Sequence, residues 1–331
     1  MIEYRIRDTS TMLKLFYVIF MNLHRAPYMI PRMRAEADHP QRYTEEQRYS
    51  LVQHAIYLMN KTGKINTVET GAENLPKQGG YMMYPNHQGK YDVLGIMYTH
   101  KSPCSFVMDK RKSHTILVRE FCDLVQAKRL EKDNPRQGIT IINQVAKEVA
   151  AGKKYILFPE GGYRFNNKNK VCDFKAGSFK IALKSHAPIV PIALIDSYKV
   201  FNSFHIGPIT TYVHYLKPIC YEEYKGMKTQ EIADLVKIRI EEKIQQEMQA
   251  QAQTGQTQSG ETQKKKPELA NWQKVMDNGE YLRSAEMAEE ANYNMIDGLM
   301  NNTPKKKDKN APRRSVLKRL RNHQKKIASQ G

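Results

Sequence analysis

Cysteine is scarce in this chain, and the four present (Cys104, Cys122, Cys172 and Cys220) are scattered with no C-x-x-C pair. That excludes a zinc-finger type of site and a disulfide framework, and it fits a reducing compartment. Other signatures are missing as well. There is no Walker A loop, no H-E-x-x-H and no G-x-G-x-x-G, so neither a metal nor a cofactor is expected. The G-x-S-x-G elbow of serine hydrolases is absent. No RNP-like aromatic strand or zinc knuckle marks a nucleic-acid module, so nucleic acid is not an expected partner.

A long apolar run is also lacking. The most apolar stretch is "MLKLFYVIFMNL", Met12 to Leu23, broken by Lys14 and Asn22. As a helix it reaches about 18 Å, against roughly 30 Å for a hydrocarbon core, so it cannot cross a bilayer. Two readings stand. The segment lies in a membrane interface, with Arg25, Arg32 and Arg34 facing headgroups, or it is a buried core helix. Ahead of it, Glu3, Arg5, Arg7 and Asp8 alternate with no small-residue cleavage site, which does not read as a signal peptide.

Acidic residues are the minority charge. Lysine and arginine number 53 against 34 aspartates and glutamates, a net +19. Residues 301–331 hold eleven Lys/Arg and one Asp, so that tail carries +10. Such a balance favours anionic partners, membrane surfaces among them. Val316, Leu317, Leu320 and Ile327 allow the tail a weak amphipathic helix; a solvated disordered tail is the plainer reading.

What is there begins with a helix over 43–62, where Leu51, Val52, Ala55, Ile56, Leu58 and Met59 recur near helical spacing. After the connector "GAENLPKQGG", strands are predicted at 81–84, 104–108, 155–158, 189–195 and 210–216. Between them, "RQGITIINQVAKEVAAG" carries Ile139, Ile142, Val145 and Val149 as a stripe, and "AGSFKIALKSH" is a shorter helix. Ile232, Leu235, Val236, Ile240 and Ile244 form the apolar face of a closing helix. The alternation predicts an α/β fold, a central sheet flanked by helices. An N-terminal helical region covers 1–62 and the α/β domain 63–248. Residues 249–268 read as a flexible linker, and 269–331 as a helical segment starting near Trp272 followed by the basic tail.

Two segments carry chemistry. "YPNHQGKYD" places His87 five residues before Asp92, and "YILFPEGGYRF" runs an apolar strand into Pro159, Glu160, Gly161 and Gly162. Five residues along a helix do not share a face. If the pair cooperates, His87 lies in a loop and Asp92 on the first turn of the next helix. Both segments end a strand in polar residues, and open α/β sheets bind ligands beyond the carboxyl ends of their strands. One shared crevice is the expectation. Histidine is a base that works near neutral pH, and a carboxylate behind the ring would orient it.

"NHQGKYD", then "FPEG", then "APIVPIAL", with "GAENLP" ahead, resembles the glycerolipid acyltransferase family, specifically the 1-acylglycerol-3-phosphate acyltransferases, over roughly residues 10–245. The resemblance implies His87 as general base, Asp92 as its partner and an N-terminal membrane element. It implies acyl transfer from acyl-CoA or acyl-carrier protein to lysophosphatidic acid at the cytoplasmic face of the cell membrane, by a peripheral or monotopic protein. Arg129, with Lys128 and Lys132 as stand-ins, matches the second motif's phosphate-binding arginine. Glu160 and Gly161 belong to the substrate-binding loop. The third motif departs from the family's E-G-T-R: Tyr163 takes the arginine's place, leaving Arg164 or Lys175 to supply the charge. Gly89 stands where serine is frequent, leaving room for substrate. Pro191 matches the fourth motif and either shapes the acyl groove or ends sheet pairing. Another acceptor, glycerol-3-phosphate or a different lysophospholipid, remains an alternative, as does a non-enzymatic protein binding RNA or an anionic surface.

Overall fold

The computed structural model describes residues 13–257 except 116, 165, 166, 204 and 206. The basic tail, the helix expected near Trp272 and most of the expected linker lie outside the described residues. Three helices lead in: α1 (Leu13–Asn22), α2 (Ala26–Asp38) and α3 (Glu45–Gly63). The start of α3 follows from a reciprocal cap, in which Thr44 Oγ1 accepts from the Gln47 amide (3.3 Å) and Gln47 Oε1 accepts from the Thr44 amide (2.8 Å). The sheet elements and their connections are β1 (Ile65–Thr70), β2 (Tyr81–Pro85), α4 (Asp92–Thr99), β3 (Ser105–Asp109), α5 (Val118–Leu124), β4 (Lys128–Leu130), α6 (Pro135–Ala150) and β5 (Lys154–Ile156). Then come α7 (Lys180–Ser185), β6 (Ile189–Ile195), α8 (Tyr198–Phe201), β7 (Ile209–Tyr215), α9 (Tyr221–Tyr224) and α10 (Thr229–Thr257).

The strands form one seven-stranded sheet in the order β1-β7-β6-β2-β5-β3-β4. Every pairing is parallel except β6 with β7. The carboxyl ends of β2, β3, β4, β5 and β6 therefore open on one edge, while β1 and β7 run the other way. The two expected faces are covered. Met82 and Tyr84 point to one, where Val145, Val149, Ile232, Val236, Ile240 and Ile244 close over them. Tyr81 points to the other, where its hydroxyl meets His100 Nε2 (2.6 Å).

Several expectations are corrected. Strands β1 and β4 were not foreseen; each is an edge strand, polar or charged and only partly buried, as edges that avoid further pairing tend to be. Ile139 is exposed, so the buried stripe of α6 is Val145, Ala146 and Val149, with Ile141 and Ile142 partly buried beside it. The closing helix continues to Thr257, past the expected linker boundary at 248. The lead-in helices and the sheet fall in one compact unit.

Segment α1 is neither wholly buried nor free of the core. Val18 packs with Ile65, Phe201 and Ile209, and Lys14 Nζ donates to the Gly207 carbonyl (2.7 Å), its pKa drawn down to about 8 by burial. The outer side is apolar and exposed: Leu13, Phe16, Tyr17, Phe20, Met21 and Leu23, with Phe20 at 72%. The nearby arginines do not form the outward basic row foreseen. Arg25 donates to Asn22, Arg32 to Glu36, and Arg34 reaches the buried Glu120 by two nitrogens (3.0 and 2.7 Å). Among the described residues no helix is long and apolar enough to cross a membrane.

Pro191 lies buried within β6, an interior strand rather than an edge. The segment running on from β7 carries one extra residue there, since Ile189 bridges Ile219 while Ile192 faces Tyr215. The proline thus sits at a bulge, where a missing N–H is tolerated.

Candidate active site

Strand β2 ends at Pro85, the chain turns through Asn86 to Lys90, and α4 begins with Asp92. Asn86 fixes this turn to β6: its amide donates to the Leu194 carbonyl (3.1 Å), and its oxygen accepts from the Leu194 amide (2.7 Å). His87 Nδ1 then lies 2.7 Å from Asp92 Oδ2. The five-residue spacing is resolved as the helical geometry requires, with the histidine in the loop and the aspartate in the first helical turn.

Asp92 is 1% exposed, and a buried carboxylate is costly unless its lone pairs are filled. Oδ2 accepts from the Gln88 amide (2.5 Å) and the Gly89 amide (2.9 Å) as well as from His87. Oδ1 accepts from the Ser197 hydroxyl. With Nδ1–H donated to the carboxylate, the neutral ring carries its lone pair on Nε2. Phe158 lies against the imidazole at 4.3 Å between centroids, and Tyr163 meets it edge-on at 4.9 Å. The His87 side chain keeps 18% of its surface exposed, so a reactant can approach it.

The "FPEGG" turn reaches the same place from β5. Glu160 is 8% exposed, and its Oε1 accepts from the His87 amide (2.9 Å). Burial pushes the Glu160 carboxyl above the usual carboxylate range, the His87 amide and Cys172 drawing it partly back. Gly161 has φ +74°, a left-handed turn that favours glycine, and the flexible Lys175 side chain crosses it.

The cations are arranged differently from the expectation. Arg129 lies inside β4, bound to Asp123 (2.5 Å) and Ser113 (3.0 Å). Lys128 pairs with Glu148 (2.7 Å). It is Lys132, just beyond the strand, that touches the loop, donating to the Gly161 carbonyl (2.8 Å). Arg164 is exposed, and its charge acts on Cys172 and Asp173. Gly89 leaves no room for substrate, because a Cβ there would meet Asn202 Oδ1 at 2.4 Å. That oxygen accepts from the Lys90 amide (2.9 Å).

Sequence reasoning missed Asn86, Gln88, Asn169 and Ser197. Gln88 Oε1 accepts from the Ser197 amide (3.0 Å) and lies 3.1 Å from the Ser197 hydroxyl oxygen, and its Nε2 donates to Asn169 Oδ1 (2.9 Å). Asn169 in turn holds Asp196 through its amide (2.9 Å) and carboxylate (3.1 Å); Asp196 is left-handed at φ +62°. The signal was present: "IVPIALIDS" ends an apolar strand in polar residues, as the other two segments do.

Five strands running one way, with a partly exposed histidine hydrogen-bonded to a buried aspartate beyond their carboxyl ends, define an α/β protein with a polar site at a single edge of its sheet. Residues 66–195 match the protein-family model described as Acyltransferase, and residues 278–321, outside the described residues, match a domain of unknown function, DUF4316. A 1-acyl-sn-glycerol-3-phosphate acyltransferase of Saccharomyces cerevisiae is 27% identical over 175 residues, 50% of this chain and 56% of that protein. One of Borreliella burgdorferi is 25% identical over 187 residues, 55% of this chain and 72% of that protein. The crystal structure of the 1-acyl-sn-glycerophosphate acyltransferase PlsC from Thermotoga maritima superposes with a TM-score of 0.56 at 16% identity, covering 73% of this chain and 97% of that one, a likeness of fold. Residues 66–195 are a domain of the acyltransferase family, and His87, Asp92, Glu160 and Pro191 all fall within it.

Proposed function

We propose that this protein transfers a fatty acyl group from a thioester donor, acyl-CoA or acyl-carrier protein, to the sn-2 hydroxyl of 1-acylglycerol-3-phosphate, giving phosphatidic acid. The observation that carries the reading is the His87–Asp92 contact of 2.7 Å, on a carboxylate held by three further donors. Relatives named for this reaction support the choice of substrates.

In the proposed step, His87 Nε2 takes the acceptor's hydroxyl proton as that oxygen attacks the thioester carbonyl. Asp92 stabilises the imidazolium so formed. The tetrahedral intermediate collapses, the C–S bond breaks, and the departing thiolate takes the proton from Nε2. Glu160 holds the His87 backbone in place, and Lys132 and Lys175 line the loop on which the acceptor rests. The exposed apolar side of α1 is proposed to sit in the membrane interface at the cytoplasmic face, where the acceptor resides.

Purified protein supplied with an acyl-CoA and 1-acylglycerol-3-phosphate in detergent micelles should form phosphatidate and free thiol in equal amounts. Thiol release without phosphatidate would mean thioester hydrolysis instead. Transfer only to another lysophospholipid or to glycerol-3-phosphate would replace the acceptor assignment.

A further inference from the structure

We infer that Asn202, in the connection from β6 to β7, is a positioning residue for the His87–Asp92 pair, and that position 89 is glycine to make room for its side chain. The inference rests on the functional reading above and deepens it by adding a residue far along the chain. Four consecutive amides line the turn from β2 to α4, and each donates to a side-chain oxygen. His87 donates to Glu160 Oε1 (2.9 Å), Gln88 and Gly89 to Asp92 Oδ2 (2.5 and 2.9 Å), and Lys90 to Asn202 Oδ1 (2.9 Å). The Lys90 amide shares a rigid peptide plane with the Gly89 carbonyl. Holding that plane restrains rotation at the loop's glycine, which would otherwise carry the Gly89 amide away from Asp92.

Gly89 does not take a positive φ, unlike Gly161 and Gly162, so its backbone would accept a side chain. The space around it would not. A Cβ there would lie 2.4 Å from Asn202 Oδ1, 3.0 Å from Cγ and 3.5 Å from Cβ of the same residue. A side chain at position 89 must therefore push the Asn202 carboxamide off the Lys90 amide. Glycine at 89 and asparagine at 202 form one device.

Asn202 is itself fixed. It follows the last turn of α8, its amide donating to the Tyr198 carbonyl (2.9 Å). Val200 and Phe201 pack with Val18 and Tyr91, and the Phe201 ring meets Tyr91 edge-on at 5.7 Å. Ser197, whose hydroxyl donates to Asp92 Oδ1, stands at the other end of the same helix. One short helix thus reaches the carboxylate from its first end and the last amide of the loop from its second.

The test is a double-mutant cycle in the full chain, with Asn202→Ala, Gly89→Ala and the two combined, beside Asn202→Asp. Each is assayed with an acyl-CoA and 1-acylglycerol-3-phosphate, and its thermal midpoint is measured. Asn202→Ala should lower kcat about tenfold with both KM values nearly unchanged. Asn202→Asp keeps an acceptor oxygen in place and should recover most of the rate. Gly89→Ala should match Asn202→Ala, and the pair should lose no more than either alone, because both remove the same contact. An unchanged kcat in Asn202→Ala overturns the inference, whether or not the midpoint falls. So do losses that multiply in the pair, or an Asn202→Asp as slow as Asn202→Ala. The ring is also read without substrate. The Nδ1 proton resonance of His87, assigned by its loss in His87→Ala, should shift in Asn202→Ala and Gly89→Ala and return in Asn202→Asp. An unshifted resonance overturns the inference even in an active enzyme. A protein that acylates no acceptor but shows the shift loses only the functional reading.

Discussion

Ser197 donates its hydroxyl hydrogen to Asp92 Oδ1 from the far end of β6, so two strands determine how the carboxylate is aimed. Removing a donor from a buried carboxylate costs about 1–3 kcal/mol. Ser197→Ala should therefore lower kcat several-fold with the KM for the acceptor nearly unchanged, while Ser197→Thr, which keeps the hydroxyl, recovers it. A kcat that stays in place while the thermal midpoint drops would make Ser197 merely structural. At this scale the site was half legible. His87, Asp92 and Glu160 stand in short contiguous motifs, and the structure brings all three together. Arg129 misled because charge density in "QAKRLEKD" does not reveal which cation clears the strand end. The partners Gln88, Asn169 and Ser197 lie far apart in sequence and meet only once β2 and β6 pair.

Helix α1 shows what amphipathic spacing alone could not decide. Its inner side is fixed by Val18 and by the buried Lys14, leaving Phe20, Phe16 and Leu13 outward. Phe20→Asp places a charge on that outer side without touching the core. It should weaken flotation with anionic liposomes several-fold while activity in micelles is kept. Equal flotation of the two proteins would remove α1 from the membrane assignment. The elements read correctly from sequence are those with one continuous apolar face, such as β2, β6 and α10, each of which buries it. The elements overlooked, β1 and β4, end the sheet, and polar edges carry little of the alternation that marks a strand.

At the scale of the whole fold, three histidines among the described residues are held neutral by burial. His54, His100 and His214 each have a pKa lowered to about 4, with desolvation the largest cause. Their unfolded values lie near 6.5. Between those values the unfolded chain takes up protons that the folded chain refuses, so stability is present above pH 6.5 and drains away as pH falls toward 4. The thermal midpoint should decline over that window, and His100→Gln should flatten the decline. A flat profile for the unaltered protein would contradict the account of these buried rings. The +10 of residues 301–331 is also a whole-molecule property. Removing that stretch should lower liposome binding in a salt-dependent way and leave micellar turnover unchanged.

The most direct measurement is the rate of phosphatidate formation by His87→Ala beside the unaltered protein, with matched thermal midpoints. Loss of the proton acceptor should lower kcat by about a thousandfold, within the range general-base catalysis supplies, and leave the KM for the acceptor nearly unchanged. A variant that keeps turnover within a few-fold of the original would show that the imidazole is not the base.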